Sequence, residues 1–217
     1  MSQALSATTA GGVIAYDPVR DAPAHHHPIY DYDSGPPVDR GKFAIWLFLA
    51  TEVMFFTGLI GTYIVLRIGS PTWPNPETRL AVNITAFNTF VLIMSSYTMV
   101  RALHAIQRGD QGGLLRWLGL TILFGSFFVG VQVYEYRELI HHGSLPNVDI
   151  FWSTFYAMTG FHGFHVFCGV IWLLCAWIGA ARGKFSAQRY LPIELAGLYW
   201  HFVDLVWVLL FTIVYLM

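Results

Sequence analysis

The chain has 217 residues, of which 55% are hydrophobic and only 12% are charged, and its mean hydropathy is +0.52. Soluble domains carry about 25% charged residues, so this composition excludes an ordinary soluble domain and indicates a membrane protein. The formal net charge of −1 provides no basic surface, and we therefore expect no nucleic-acid partner.

The first 41 residues are polar and contain several Pro, Gly, Asp and His residues. They lack the apolar segment of a signal peptide, so we predict a largely disordered cytoplasmic tail over residues 1–41. A short histidine run, His25 to His27, is interpreted as part of this solvated tail rather than as a metal site.

The remaining residues, 42–217, predict an all-α fold, a polytopic bundle of five transmembrane helices. Crossing a bilayer takes about 20 residues, and five apolar segments reach that length. All ten prolines lie outside these segments, as helical geometry favours. The predicted spans are approximately 43–66, 81–106, 115–140, 151–181 and 193–216.

Positive charge predicts the orientation of the chain, because cytoplasmic segments of membrane proteins are enriched in Lys and Arg. Nine basic residues lie on the side of the tail and of the 2–3 and 4–5 links, against three on the opposite side. We therefore expect a cytoplasmic N-terminus and a C-terminus on the outer side. The three basic residues of the outer side are Arg67, Arg79 and Arg137.

Span one contains a carboxyl group near the middle of the membrane. Glu52 follows Lys42 by ten residues, which is about 15 Å along a helix axis. A charged carboxylate at the bilayer centre costs about 2.5–3.5 kcal/mol on insertion scales. One interpretation is a carboxyl group that handles protons. The other, which the cost of burying a charge favours, is a protonated carboxyl group that ties two helices together by a hydrogen bond.

Six further ionisable side chains lie within or at the ends of the later spans. The two histidines of span four are three residues apart and share a helix face, as do the histidine and aspartate of span five. A metal site would need three or four ligands that converge on one point. A row of hydrogen bonds between His and carboxylate groups requires fewer side chains to meet at any one place. We therefore predict no metal site among them. The six are Glu135, His162, His165, Glu194, His201 and Asp204.

Small residues predict the faces on which helices approach closely. Two such pairs are three residues apart, Gly58 with Gly61 and Gly160 with Gly163. A third pair, Ala196 and Gly197, is adjacent.

Each span also carries a distinctive motif. In chain order these are WLFLATEVMFFTGLIGTY around Glu52, FNTFVLIMSSYTMVRALHAIQRGD, QVYEYRELI, FYAMTGFHGFHVFCGVIWL and YWHFVDLVWVLLFTIVYL. Together, and in this order, they resemble subunit III of the haem–copper respiratory oxidases. The resemblance covers the chain from about Gly41 to the C-terminus.

The chain lacks the first two of the seven spans found in mitochondrial-type members of that family. Five-span forms are typical of bacterial oxidases, so the resemblance implies a multi-pass protein of the bacterial plasma membrane. The family holds lipid between its first two helices and the rest, and residues of those helices have no counterpart here. Arg182, after span four, is a weak candidate for holding a lipid phosphate, although a plain positive-inside residue explains it as well.

The resemblance implies a non-catalytic subunit of an oxidoreductase complex, an aa3-type cytochrome c oxidase that reduces oxygen and pumps protons. In such a complex subunits I and II carry the haem and copper, and this chain carries no cofactor, although it can bind phospholipid. Its partners would be subunits I and II and membrane lipids. Its role would be to stabilise the catalytic subunit and to support proton uptake. The buried polar residues would fix the bundle in preference to relaying protons.

Three alternatives stay open at this stage. A quinol oxidase subunit III would differ in an electron donor that other subunits bind, and an accessory protein of nitric oxide reductases shares the five-span pattern. A self-standing transporter would need a substrate path broken by Gly or Pro within the spans, and the spans contain no proline. Membership of a larger respiratory supercomplex also stays open.

Overall fold

The computed structural model describes residues 39–74 and 79–216. It confirms the predicted all-α fold, and all five helices are long and apolar enough to cross a membrane. Most of the predicted tail, residues 1–38, lies outside the described residues. The helices are α1 (Arg40–Gly69), α2 (Val82–Gln107), α3 (Gln111–His141), α4 (Ile150–Ala181) and α5 (Leu191–Phe211), the last followed by a π-helical turn (Thr212–Leu216).

When the π-helical turn is counted with α5, the helices end within four residues of the predicted spans, and most extend beyond them. Helix α1 has 30 residues and is therefore about 45 Å long, against a hydrocarbon core of about 30 Å. The apolar pattern marks only the part of a helix that lies in hydrocarbon, and the polar ends continue the helix into the interface.

Helices α2 to α5 form a four-helix bundle in which each helix packs against the next and α5 closes back onto α2. Helix α1 lies outside this bundle and packs on α4 and α5. Large apolar side chains cover its outer face, for example Met54, Val65 and Ile68. Such a surface is typical of contact with lipid or with another membrane-embedded subunit.

The link between α2 and α3 is a tight turn with a glycine in the left-handed conformation. Gly109 has φ +78°, and its N–H donates to the carbonyl of Ile106 at 2.9 Å. The next N–H, of Asp110, donates to the carbonyl of Ala105 at 3.0 Å, which completes a Schellman motif. Asp110 then caps α3 by accepting from the N–H of Gly113. The motif that ends α2 and the cap that begins α3 are thus adjacent in the chain. Together they form a short hairpin in which α2 and α3 are antiparallel.

Helix α5 supplies the centre of the bundle through two tryptophans one heptad apart. The indole N–H of Trp200 donates to Ser95 Oγ at 2.9 Å, and that of Trp207 donates to Thr89 Oγ1 at 2.9 Å. The Trp200 ring fits against Gly125, where an added Cβ would lie 2.5 Å from it. Both indoles are almost fully buried, so they fix the distances between α5 and the other helices.

Candidate functional site

The carboxyl group of span one pairs with a histidine of span four. Glu52 Oε2 lies 3.1 Å from Nε2 of His165, and the two side chains are only 16% and 14% exposed. The aromatic rings of Phe55 and Phe56 lie next to the imidazole, with the Phe56 centroid 5.2 Å away. The contact links the outlying helix α1 to the bundle through a polar pair within apolar surroundings.

The geometry of His165 limits how protons are distributed in this pair. Its Nδ1 lies 2.7 Å from the carbonyl oxygen of Phe161, and a carbonyl oxygen can only accept, so Nδ1 carries a hydrogen. A hydrogen bond between Nε2 and Glu52 then needs one further proton. Whether the carboxyl group or the ring carried it, the pair with that proton would have zero net charge. Such a pair can transfer a proton internally without placing a net charge in the membrane.

The other histidine of span four lies in different surroundings. His162 is fully buried, stacks on Trp207 with ring centroids 4.8 Å apart, and meets the edge of Phe128. Neither of its ring nitrogens has a hydrogen-bond partner among the residues that the structure describes. The shared spacing of the two histidines therefore does not make them a pair. One packs inside the bundle and the other faces α1.

The histidine of span five binds a serine of span two, and the aspartate lies one helical turn further along. Nδ1 of His201 lies 3.1 Å from Ser96 Oγ. The Asp204 side chain is buried, and its Oδ1 atom has no partner within the described parts of the chain. Ser96 thus links α5 to α2 through His201.

Glu135 of span three is held where three helices meet. Its Oε1 lies 3.3 Å from Thr85 Oγ1 on α2 and 3.2 Å from the hydroxyl of Tyr215, which donates to it. Tyr215 belongs to the π-helical turn that follows α5. Because a π-turn contains more residues than an α-turn, it shifts the side chains that follow, and here the tyrosine hydroxyl points at the carboxylate.

Two predicted residues lie towards the ends of helices. Glu194 forms an ion pair of 2.7 Å with Lys42, which joins the first turns of α5 and α1. Arg182 is exposed at the C-cap of α4, where its backbone N–H donates to the carbonyls of Ile178 and Ala180. The role of its guanidinium in holding a lipid phosphate stays a prediction.

The structure distributes the predicted residues over separate contacts and does not gather them into one cluster. Within the described residues no three His, Cys, Asp or Glu side chains converge as metal ligands would. Reasoning from the sequence missed the hydroxyl partners, although span two carries a conspicuous run of Thr, Ser and Asn. The missed partners are Thr85, Ser96 and Tyr215.

A further polar contact joins α3 to α4 at a glycine. The amide of Gln132 donates to the Thr159 carbonyl at 2.8 Å, and the Tyr136 hydroxyl lies 2.6 Å from Thr159 Oγ1. A Cβ added at Gly163 would lie 2.5 Å from Gln132 Oε1, so the helices approach here as predicted.

The prediction for Gly58 and Gly61 was wrong. A Cβ added at either position would meet no atom of the described residues within 4 Å, so none of the described helices approaches α1 there.

Comparison with known proteins agrees with these features along nearly the whole chain. A family model described as cytochrome c oxidase subunit III matches residues 29–217. The cytochrome c oxidase subunit 3 of Thermostichus vulcanus is 35% identical over 195 residues, covering 89% of this chain and 90% of that protein. The probable cytochrome c oxidase subunit 3 of Mycobacterium tuberculosis is 41% identical over 172 residues, covering 79% and 84%.

Quinol oxidase subunit 3 of Bacillus subtilis is also similar, at 36% identity over 172 residues, covering 79% of this chain and 84% of that protein. The relatives thus include subunits of oxidases named for two kinds of electron donor. Given the match of the family model and these identities over most of the chain, this multi-pass membrane protein belongs to the cytochrome c oxidase subunit III family of the haem–copper oxidases.

Proposed function

We propose that this chain is the non-catalytic subunit III of a proton-pumping, aa3-type cytochrome c oxidase. The observation that supports the donor is the identity of 41% with the mycobacterial protein named as a probable cytochrome c oxidase subunit, against 36% with the quinol oxidase subunit over the same length. The quinol oxidase is the second candidate, because its identity equals or exceeds that of some relatives named for cytochrome c.

In this proposal the chain contributes structure to the complex, and subunits I and II carry the haem and copper. The arrangement of its polar side chains supports such a role. Glu52, Glu135, Glu194 and His201 all bind groups on a neighbouring helix of the same chain. These contacts stabilise one packing of the bundle, which then offers subunit I a rigid surface.

Support of proton uptake is the second part of the proposal. A subunit that covers the entrance of a proton path changes the charge and water around the entry groups, and therefore the rate at which they take up protons. The Glu52–His165 pair can move one proton between its two members without a net charge, which makes it the group among the described residues best suited to a direct contribution.

The proposed location is the bacterial plasma membrane, with the N-terminus in the cytoplasm and the C-terminus on the outer side. The charge asymmetry supports this orientation, since nine of the twelve Lys and Arg residues fall on the side of the tail and of the α2–α3 and α4–α5 links.

The test is to purify the chain with its native partners. We expect it to co-purify with a haem-bearing subunit that shows the absorbance of haem a, and to support oxygen consumption with reduced cytochrome c. Consumption with quinol alone would establish the second candidate. Isolation as a colourless complex without haem-bearing partners would refute both.

Removal of the subunit tests the proton-uptake part separately. We expect proton uptake during turnover to slow when the subunit is stripped from the complex and to recover when it is added back. Unchanged uptake after complete removal would refute this part and leave the assignment of the donor intact.

A further inference from the structure

A groove with basic walls opens at the α2–α3 end of the bundle. Its cavity of about 480 Å³ is lined by Arg101 of α2, by Asp110 of the turn, and by Arg116, Trp117 and Leu120 of α3. None of these side chains takes part in the polar contacts described above, apart from the helix cap made by Asp110. The groove is therefore separate from the polar contacts that hold the bundle together.

Both arginines of the groove keep hydrogen-bond donors free. The guanidinium of Arg101 lies 5.0 Å from the ring centroid of Trp117, a contact that uses the flat face of the guanidinium and leaves its N–H edges available. Nε of Arg116 donates to the Gly112 carbonyl at 3.2 Å, which leaves its two terminal nitrogens. Within the described residues neither arginine forms an ion pair.

The single carboxylate of the groove does not neutralise this charge. Asp110 accepts a hydrogen bond of 2.8 Å from the N–H of Gly113, so its negative charge faces the N-terminus of α3. Two guanidinium groups against one engaged carboxylate leave the groove positive. The rigid, planar guanidinium groups suit a phosphate, because a phosphate accepts hydrogen bonds through several oxygens.

An exposed apolar surface continues from the groove towards the middle of the membrane. On α2, Arg101 shares one helix face with the side chains that precede it at alternating steps of four and three residues. On α3, Arg116 likewise shares one face with the side chains that follow it at the same alternating steps. The rings of Phe87 and Phe127 meet at 6.5 Å and bring the two rows together. The exposed members are Tyr97, Met94, Phe90 and Phe87 on α2 and Leu123 and Phe127 on α3.

The apolar surface has the length that an acyl chain needs. Fourteen residues separate Arg101 from Phe87, which is about 21 Å along the helix and exceeds the roughly 15 Å of half a hydrocarbon core. The register of the two helices is fixed beneath it, because Thr98 and Thr121 hydrogen bond at 2.8 Å and Asn88 donates to the Phe128 carbonyl at 3.2 Å. The surface is thus preformed.

We propose that the α2–α3 groove binds one anionic phospholipid, with its phosphate on Arg101 and Arg116 and an acyl chain along the Phe90 row. Trp117 lies at the level of the headgroup, as tryptophans of membrane proteins commonly do. Basic pockets between transmembrane helices are established binding sites for anionic headgroups. The site lies apart from Arg182 and requires neither a particular electron donor nor a role in proton uptake.

The test uses the purified oxidase complex, delipidated and then titrated with phosphatidylglycerol, with bound lipids counted by native mass spectrometry. We expect the Arg101→Gln, Arg116→Gln double variant to bind one phosphatidylglycerol fewer than the wild type. The matched control is Arg108→Gln, an exposed arginine of the same turn that does not line the groove. An unchanged count in the double variant would overturn the proposal.

Three further arms make the test specific. The single variant Arg116→Gln, at an exposed side chain, should weaken binding at least tenfold even if the double variant assembles poorly. Phosphatidylcholine should not fill the site, and equal filling by this zwitterionic lipid would overturn the requirement for an anionic lipid. Inorganic phosphate in large excess should not displace the lipid. Displacement would mean that the phosphate alone is recognised, and it would overturn the assigned role of the apolar surface.

Discussion

Replacing the carboxyl group of the Glu52–His165 pair separates a structural role from a proton-transfer role. In Glu52→Gln an amide N–H can still donate to Nε2 of the imidazole, whose Nδ1 hydrogen is committed to the Phe161 carbonyl. The interhelix contact is therefore kept while the transferable proton is lost. In Glu52→Leu both are lost, and a largely buried ring nitrogen is left without its partner.

The two substitutions should differ clearly in their cost. Hydrogen bonds between membrane helices contribute about 0.6 kcal/mol on average, so Glu52→Gln should cost less than about 1 kcal/mol. Glu52→Leu leaves a buried polar atom unsatisfied, which costs about 1–3 kcal/mol. This range corresponds to roughly five- to 150-fold in the equilibrium between the folded and the disrupted chain. We expect little of this cost in a His165→Phe background, because the partner is then already absent.

The assay is a denaturant titration of the purified complex in detergent, combined with proton uptake during turnover. Stability should fall in the order wild type, Glu52→Gln, Glu52→Leu. Equal stability of the two variants, or an undiminished cost of Glu52→Leu beside His165→Phe, would refute the interhelix tie. Normal proton uptake by a fully assembled Glu52→Gln complex would refute the relay role and leave the tie intact.

Two further predictions concern helix contacts. Gly163→Ala should push the Gln132 amide away and lower the thermal stability of the complex by several degrees, whereas Gly58→Ala, with no atom near its Cβ, should leave it unchanged; thermal denaturation of the two variants measures the difference. Glu194→Gln removes an ion pair with Lys42 that is partly exposed, so we expect a loss of at most about 1 kcal/mol. That loss should shrink in high salt, and a larger, salt-independent loss would show that the pair acts as a buried one.

The helices were predictable because their signals are local. A continuous apolar segment of more than 20 residues has one structural solution in a bilayer, since every backbone N–H and C=O must be bonded within the segment. Turn signals are equally local, as the sequence Arg-Gly-Asp at 108–110 supplies the C-cap, the left-handed residue and the next N-cap in succession. Such features depend on near neighbours in the chain and not on which helices pack together.

The partners of the polar residues were not predictable in the same way. Helical spacing indicates that His162 and His165 project from similar sides of α4, but each meets a different neighbour, the bundle core or α1. The same limit explains the error at Gly58 and Gly61. Small residues permit a close approach, and whether a helix uses that face depends on the positions of all the others.

The pairing of α5 with α2 explains why an imidazole persists within a largely apolar helix. Lipid tails solvate apolar side chains as well as a protein core does, so apolar contacts alone do not select one helix register in a membrane. Hydrogen bonds are directional and therefore do select a register. The antiparallel helices α2 and α5 form such bonds along their length. Sliding α5 by one turn would break all of them together while leaving its apolar surface equally well solvated. The register is therefore set by three hydrogen bonds, between Trp200 and Ser95, His201 and Ser96, and Trp207 and Thr89.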